Sequence, residues 1–220
     1  IAFFHNAGTH LEPAAVRPPP AAGDLTTILG SGAELIAGVS AYEAASTRDA
    51  RAMPSVVAYS ARTGTMRPLI GGDTASGGPL ALADYDGDGD LDLFVGARIY
   101  PPGYPLSPSS RLYRNDRDGF VEDSANSRLL AKLGMVSAAQ FSDIDGDGDA
   151  DLLVAIEWGK IRVFQNDGGH FTSREVAGLS DVYSRWNGLA TGDLDGDGRL
   201  DIVATSWGRN VDYGATPERP

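Results

Sequence analysis

Carboxylates are crowded into three short stretches of the chain. These stretches are DYDGDGDLD from Asp84 to Asp92, DIDGDGDAD from Asp143 to Asp151, and DLDGDGRLD from Asp193 to Asp201. Two carboxylates about 4 Å apart repel each other by roughly 4 kcal/mol at an effective dielectric constant near 20. A bound cation removes this repulsion, so the three stretches are predicted to be metal-binding loops.

The spacing within each loop predicts which atoms bind the metal. With the first Asp as position 1, the side chains at positions 1, 3 and 5 converge if the backbone curls around one point. The glycines at positions 4 and 6 allow that curl, because Gly adopts φ > 0 without a Cβ clash. Position 7 is Arg in the third loop, so it is predicted to bind through its backbone carbonyl, and position 9 is always acidic. The predicted metal-binding residues are Asp84, Asp86, Asp88, Asp90, Asp92, Asp143, Asp145, Asp147, Asp149, Asp151, Asp193, Asp195, Asp197, Arg199 and Asp201.

An all-oxygen ligand set of this size predicts Ca²⁺ at all three sites, because Zn²⁺ prefers nitrogen and sulfur and Mg²⁺ requires a rigid octahedron. An EF-hand needs a Glu at position 12 and a helix on each side, whereas position 12 here is Val95, Val154 or Ala204. The residues after each loop form an apolar run typical of a buried strand. Each loop is therefore predicted to connect two β-strands. A tight Asp-Gly turn is the alternative, but no turn needs acids at positions 1, 3, 5 and 9.

The motif D-x-D-G-D-G-x-[LA]-D followed by an apolar strand resembles the FG-GAP or VCBS repeats of integrin-α-like β-propellers and of large secreted bacterial proteins. The resemblance implies that each loop binds Ca²⁺ and that each repeat is one four-stranded blade. The segment RWNGLATGDLDGDGRLDIVATSWGRN, residues 185–210, is also similar to bacterial VCBS proteins of the ASPIC/UnbV-associated type.

A second repeated unit alternates with the acidic loops. It consists of an aromatic residue, a polar turn and a further apolar residue, which predicts a β-hairpin. The four copies are FFHNAGTHL at 3–11, VAYSARTGTM at 57–66, RLYRNDRDGF at 111–120 and RVFQNDGGHF at 162–171.

A degenerate fourth loop is predicted between the first two hairpins, in GDLTTILGSGAELIAGVSA at 23–41. In this alignment Gly23, Asp24 and Leu25 keep the start of the loop, and Glu34 takes position 9. The intervening carboxylates are missing, so no metal is predicted there.

These repeats predict an all-β fold, a β-propeller with about four four-stranded blades in this chain, arranged as one domain over residues 1–220. The predicted repeats are 24–83, 84–142, 143–192 and 193–220, the last completed by residues 1–12 or by missing sequence. Two arrangements stay open: a piece of a larger propeller of about seven blades, which we favour because the chain begins at Ile1 within a strand-like run, or a closed four-bladed ring. Residues 16–23 and 101–110 are predicted to be loops, and residues 125–133 a short helix.

Composition excludes several classes of function. The net charge is −12, from 18 basic and 30 acidic residues, and no basic patch for nucleic acid is present. Cysteine is absent, and no apolar run reaches the length of a membrane helix. The sequence contains no G-x-S-x-G, H-E-x-x-H or phosphate-loop motif, and Glu157 and Glu175 are predicted to lack partners.

These observations predict a non-catalytic, calcium-binding propeller module for scaffolding or partner binding, including adhesion, in an extracellular, cell-surface or periplasmic protein. The expected partner is a protein or carbohydrate at a propeller rim. The alternative is the propeller domain of a carbohydrate-active enzyme, a polysaccharide lyase or dehydratase, with catalytic residues on rim loops or outside this piece. For Trp158, Trp186 and Trp207 we favour packing between blades over stacking on sugars.

Overall fold

The computed structural model describes residues 4–13, 19–21, 23–101, 103–104 and 106–207. Within these residues there are sixteen strands: β1 (Phe4–Asn6), β2 (Leu11–Pro13), β3 (Leu25–Ser31), β4 (Glu34–Val39), β5 (Val56–Ser60), β6 (Met66–Ile70), β7 (Ser76–Ala83), β8 (Asp92–Ile99), β9 (Arg111–Asn115), β10 (Phe120–Glu122), β11 (Val136–Ser142), β12 (Asp151–Gly159), β13 (Ile161–Asp167), β14 (His170–Arg174), β15 (Ser184–Gly192) and β16 (Asp201–Ser206). Two short α-helices accompany them: α1 (Thr47–Ala52) and α2 (Ser124–Ser127), the latter continued by a 3-10 turn at Arg128–Leu130.

The strands form successive antiparallel sheets, each built from consecutive strands. The first sheet is β3-β4-β5-β6, the second is β7-β8-β9-β10, and the third is β11-β12-β13-β14. The β15-β16 hairpin extends the third sheet, because β15 pairs with the last residues of β12. The predicted fold class is confirmed: the chain is all-β and contains four-stranded antiparallel sheets of the β-propeller type.

The sheets pack against one another through apolar side chains. The first strands of the sheets, β3, β7, β11 and β15, contact one another in chain order. One apolar cluster joins the first sheet to the second around Leu80 and Leu93, and a larger one joins the second to the third around Tyr85 and Phe94. The strands after the first two acidic loops, β8 and β12, are buried along nearly their whole length, which explains their continuous apolar sequences.

The four predicted hairpins are present in the structure. They are formed by β1 and β2, β5 and β6, β9 and β10, and β13 and β14. The segment 101–110 is free of strands and helices where it is described. Residues 14–18, residue 22 and the polar segment after Trp207 lie outside the described residues. Whether the chain is one domain, and how many blades its propeller has, stays a prediction.

The degenerate loop is correctly aligned at its end and wrongly aligned at its start. Glu34 is the first residue of β4, the place that position 9 occupies in β8, β12 and β16. Asp24 precedes β3 and Leu25 lies inside it, so neither belongs to a loop between strands. The connection that corresponds to an acidic loop is a two-residue turn of Gly32 and Ala33, with Gly32 at φ 57°.

The helix predicted at 125–133 is confirmed by α2 and its 3-10 turn, and Asp123 caps α2 by accepting hydrogen bonds from the Ala125 and Asn126 amides. The sequence did not predict α1. Ser46 caps this helix by accepting a hydrogen bond from the Asp49 amide, the arrangement typical of an N-cap serine.

Candidate metal centres

Each acidic loop connects two paired antiparallel strands: β7 and β8, β11 and β12, and β15 and β16. The three loops therefore occupy equivalent places in the repeated unit. Position 9 pairs with the last residue of the preceding strand in all three: Asp92 with Ala83, Asp151 with Ser142, and Asp201 with Gly192. The glycines at positions 4 and 6 have φ between 75° and 99° in every loop. The predicted curl of the backbone is therefore present three times, and no helix flanks any of the loops.

Carboxylates converge in each loop at a separation that suits a cation. In each group, one oxygen atom from each of three aspartates lies within 4.8 Å of the others. Ca²⁺ binds oxygen at 2.3–2.6 Å, so oxygens on opposite sides of the ion are about 5 Å apart. The groups are Asp84, Asp86 and Asp92; Asp143, Asp145 and Asp147; and Asp193, Asp195 and Asp197.

The other predicted ligands lie outside these groups. They are Asp88, Asp90, Asp149, Asp151, Arg199 and Asp201. Asp90 instead forms an ion pair with Arg117 (Oδ2 to Nε, 3.3 Å), and Asp149 accepts a hydrogen bond from the Gly168 amide at 2.8 Å. The side chains at position 7 of the first two loops thus contact the adjacent hairpin turn. Metal binding through the backbone carbonyl at this position stays a prediction.

The carboxylate at position 1 shapes the loop around itself. It accepts a hydrogen bond from the position 6 amide in each loop, at 2.9 Å for Asp84 and 3.0 Å for Asp143 and Asp193. In the second and third loops its other oxygen also accepts hydrogen bonds from the amides at positions 4 and 5. These bonds hold the curled backbone of each loop around the position 1 carboxylate.

The first loop contains an oxygen that fits a cation. Asp84 Oδ1 is buried and has no hydrogen-bond partner within the described part of the chain. A buried carboxylate oxygen without a partner is costly, and a hard cation satisfies it. The donor set and this oxygen fit Ca²⁺, with Asp84, Asp86 and Asp92 as the residues that would hold it.

Position 9 links the loop to the next hairpin of its own sheet. Asp92 and Asp151 are almost fully buried. Each accepts one hydrogen bond from the amide at position 2 and one from an asparagine amide, Asn115 at 2.9 Å and Asn166 at 2.8 Å. The side-chain amides of the two asparagines also donate to the position 8 carbonyls.

Both asparagines belong to the site, and neither was predicted from the sequence. A signal was available, because each lies at the same place in the repeated hairpin unit, in RLYRND and RVFQND. Asn166 also bridges to the neighbouring sheet, since its Nδ2 donates to the Tyr85 carbonyl in the first acidic loop at 2.8 Å. It therefore connects the first and second loops.

Ionisation of Asp92 is predicted to make calcium binding in the first loop dependent on pH. Burial raises the pKa of Asp92 to about 6, against the stabilising hydrogen bonds from Asn115 and Tyr85, and the charges of Asp86 and Asp88 raise it further. Calcium needs the ionised carboxylate, so we expect affinity at this loop to fall about tenfold between pH 7 and pH 5. Titration calorimetry of an Asp145→Asn/Asp195→Asn variant isolates the first loop.

The metal-free protein is expected to respond in the opposite direction. The folded state holds the Asp92 proton more tightly than the unfolded state, where the pKa is about 3.9. This contribution to stability is present below the unfolded pKa and is lost as pH rises through about 6.

The calcium prediction for the first loop has its own contrary outcome. If calcium affinity at this loop is equal at pH 5 and pH 7, Asp92 is not a calcium ligand.

Part of the chain matches a known family. Residues 143–204 match the family model of the FG-GAP-like repeat. The match contains the second and third acidic loops, the strands from β12 to β15, and most of β16. A comparison with curated proteins finds no match to the chain. The resemblance to FG-GAP repeats is therefore confirmed for this segment.

Proposed function

We propose that this chain is a calcium-stabilised, non-catalytic β-propeller module that binds a protein or carbohydrate partner at its rim, in an extracellular, cell-surface or periplasmic protein of the FG-GAP and bacterial VCBS type. The observation that most strongly supports calcium binding is that three acidic loops lie at equivalent places, each between two paired strands. In each loop three carboxylates come within 4.8 Å of one another. No helix in the described part of the chain is long and apolar enough to cross a membrane.

The calcium ions act structurally in this proposal. Each loop is fixed between two strands of a sheet, and the first two loops are also bonded to hairpins through Asn115 and Asn166. Calcium binding at the loops removes repulsion among carboxylates and holds the connected strand ends in place. The first group is the most buried and the third is fully exposed, so affinity is expected to decrease from the first loop to the third.

Calcium titration tests the stoichiometry. We expect three ions per chain, and Asp86→Asn, Asp145→Asn and Asp195→Asn are each expected to remove one. Position 3 is the best place to substitute, because position 1 organises the loop backbone through its hydrogen bonds. The exposed residue Asp181 provides the matched control, and Asp181→Asn is expected to retain three ions. A wild-type stoichiometry of zero or one would overturn the proposal.

The non-catalytic part of the proposal has a separate test. The calcium-loaded protein is incubated with neutral and acidic polysaccharides, and reducing ends and unsaturated products are measured. No product is expected. Product formation that persists after repeated purification, and that is lost on substitution of an acid outside the three loops, would instead identify the chain as part of a carbohydrate-active enzyme.

A further inference from the structure

A cluster of aromatic and charged side chains lies at the strand ends opposite the acidic loops. The strands β8 and β12 begin at the acidic loops, and the cluster is built around their other ends. We name it the tryptophan–arginine cluster. Its members are Arg98, Tyr104, Glu157, Trp158, Arg185 and Trp207.

Glu157 organises the charges of the cluster. Its side chain is only 6% exposed and lies 2.6 Å from Arg98 Nη2 and 2.9 Å from Arg185 Nε. The expectation that Glu157 lacks a partner was therefore wrong. Buried ion pairs contribute little net stability, but they hold guanidinium groups in place. Arg185 donates to Glu157 through Nε, one of the five N–H donors of its guanidinium group.

Two tryptophan rings surround the same guanidinium group. Arg185 Cζ lies 4.0 Å from the ring centroid of Trp207 and 5.6 Å from that of Trp158. Trp158 Nε1 also donates a hydrogen bond to the Tyr104 hydroxyl at 3.0 Å. Despite these contacts, Trp207 is 47% exposed, Trp158 36% and Tyr104 57%. Trp186, by contrast, is buried and packs with Ala155 and Ile161.

The backbone at Trp158 is strained in a way that positions its ring. Trp158 has φ 61°, a left-handed backbone conformation that is strained for a bulky residue. It lies at a bulge between Glu157 and Gly159, where β12 pairs with β15. Bulges redirect side chains, and strained conformations concentrate at functional positions.

We propose that the tryptophan–arginine cluster binds an acidic polysaccharide that contains uronic acid rings. The C–H face of a sugar ring would stack on Trp207 and Trp158, and its carboxylate would accept hydrogen bonds from Arg185 and Arg98, because the guanidinium fork matches a carboxylate. Among the six members of the cluster, Arg98 and Arg185 oppose a single acid, Glu157, in a chain whose net charge is −12. This local excess of positive charge favours an anionic ligand. The inference rests on the proposed function as a binding module and names its partner.

Titration with a short acidic oligosaccharide tests the proposal. The probe is hexagalacturonate at saturating calcium, with maltohexaose as the neutral control and poly-L-glutamate as the anionic polymer without sugar. We expect hexagalacturonate to bind, to change tryptophan fluorescence, and to bind more weakly as salt increases. Trp207→Ala and Arg185→Gln are each expected to weaken binding at least about tenfold, and Arg185→Lys to retain part of it.

Matched variants separate this site from general effects. Arg67→Gln removes an exposed arginine that pairs with Glu34, and Tyr42→Ala removes an exposed aromatic side chain from the connection between β4 and α1. Both are expected to bind the probe normally. Absence of binding, equal binding of poly-L-glutamate, or full binding by Trp207→Ala would overturn the inference. Calcium stoichiometry and melting temperature are measured on the same samples, so failure of the ligand is distinguished from failure of the calcium module.

Discussion

Removal of calcium is expected to lower the melting temperature of this protein by on the order of 20 °C. A ligand at a hundred times its Kd stabilises the folded state by about 2.7 kcal/mol per site. Three such sites contribute about 8 kcal/mol, and each kcal/mol corresponds to about 2–4 °C for a chain of this size. The physical origin is the repulsion among carboxylates that lie within 4.8 Å of one another in each loop.

Calorimetric scans at millimolar calcium and in excess chelator measure this effect. Magnesium at the same concentration provides one control, since it requires a rigid octahedron that these loops do not impose. The Asp86→Asn/Asp145→Asn/Asp195→Asn variant provides another, because its melting temperature is expected to be insensitive to calcium. Identical wild-type curves in calcium and in chelator would refute a structural role for the metal.

Local sequence patterns were sufficient to predict the acidic loops. The positions of the loop glycines, the strands that follow Asp92, Asp151 and Asp201, and the four hairpins all depend on residues close together in the chain. A Gly at φ > 0 or an Asp-rich turn is determined by local sterics and charge. The fold class followed because these local units repeat.

Contacts between distant residues were harder to predict. Nothing near Glu157 in the sequence indicates its partners, because Arg98 and Arg185 come from other strands. The exposure of Trp158 and Trp207 also depends on which sheets cover them. A buried tryptophan and a surface tryptophan have the same local pattern. The sequence therefore does not distinguish Trp186 from Trp158 and Trp207.

The degenerate loop shows how a short motif misleads. Gly23, Asp24 and Leu25 repeat the three letters at the start of the third loop, residues 192–194, but Leu25 lies inside β3. A three-residue match carries little information about strand register. The match of Glu34 was correct because the apolar strand after it supplies a longer signal. The carboxylates at positions 1 and 3 come together in all three loops, whereas position 5 joins them only in the second and third. Which of these residues bind a metal stays a prediction.

Substitution of Asn166 by Ala is expected to lower the free energy of unfolding by about 4 kcal/mol. The side chain is fully buried. Its Nδ2 donates to the carbonyls of Tyr85 and Ala150, and its Oδ1 accepts from the Gly169 amide. Ala leaves these three backbone groups without the partner in a buried interface, at about 1–3 kcal/mol for each unsatisfied group. Urea unfolding at saturating calcium measures the change.

The exposed residue Asn187 is the matched control, and Asn187→Ala is expected to change stability by less than about 0.5 kcal/mol.

Asn166 bonds to the Tyr85 carbonyl in the first loop and to the Ala150 carbonyl and Asp151 carboxylate in the second. Ordering of one loop should therefore assist the other. We expect Asp86→Asn to weaken calcium binding at the second loop in the wild-type background and to have no such effect with Asn166→Ala. If calcium binding at the second loop is equally affected in both backgrounds, Asn166 stabilises the interface without transmitting calcium occupancy between the sheets.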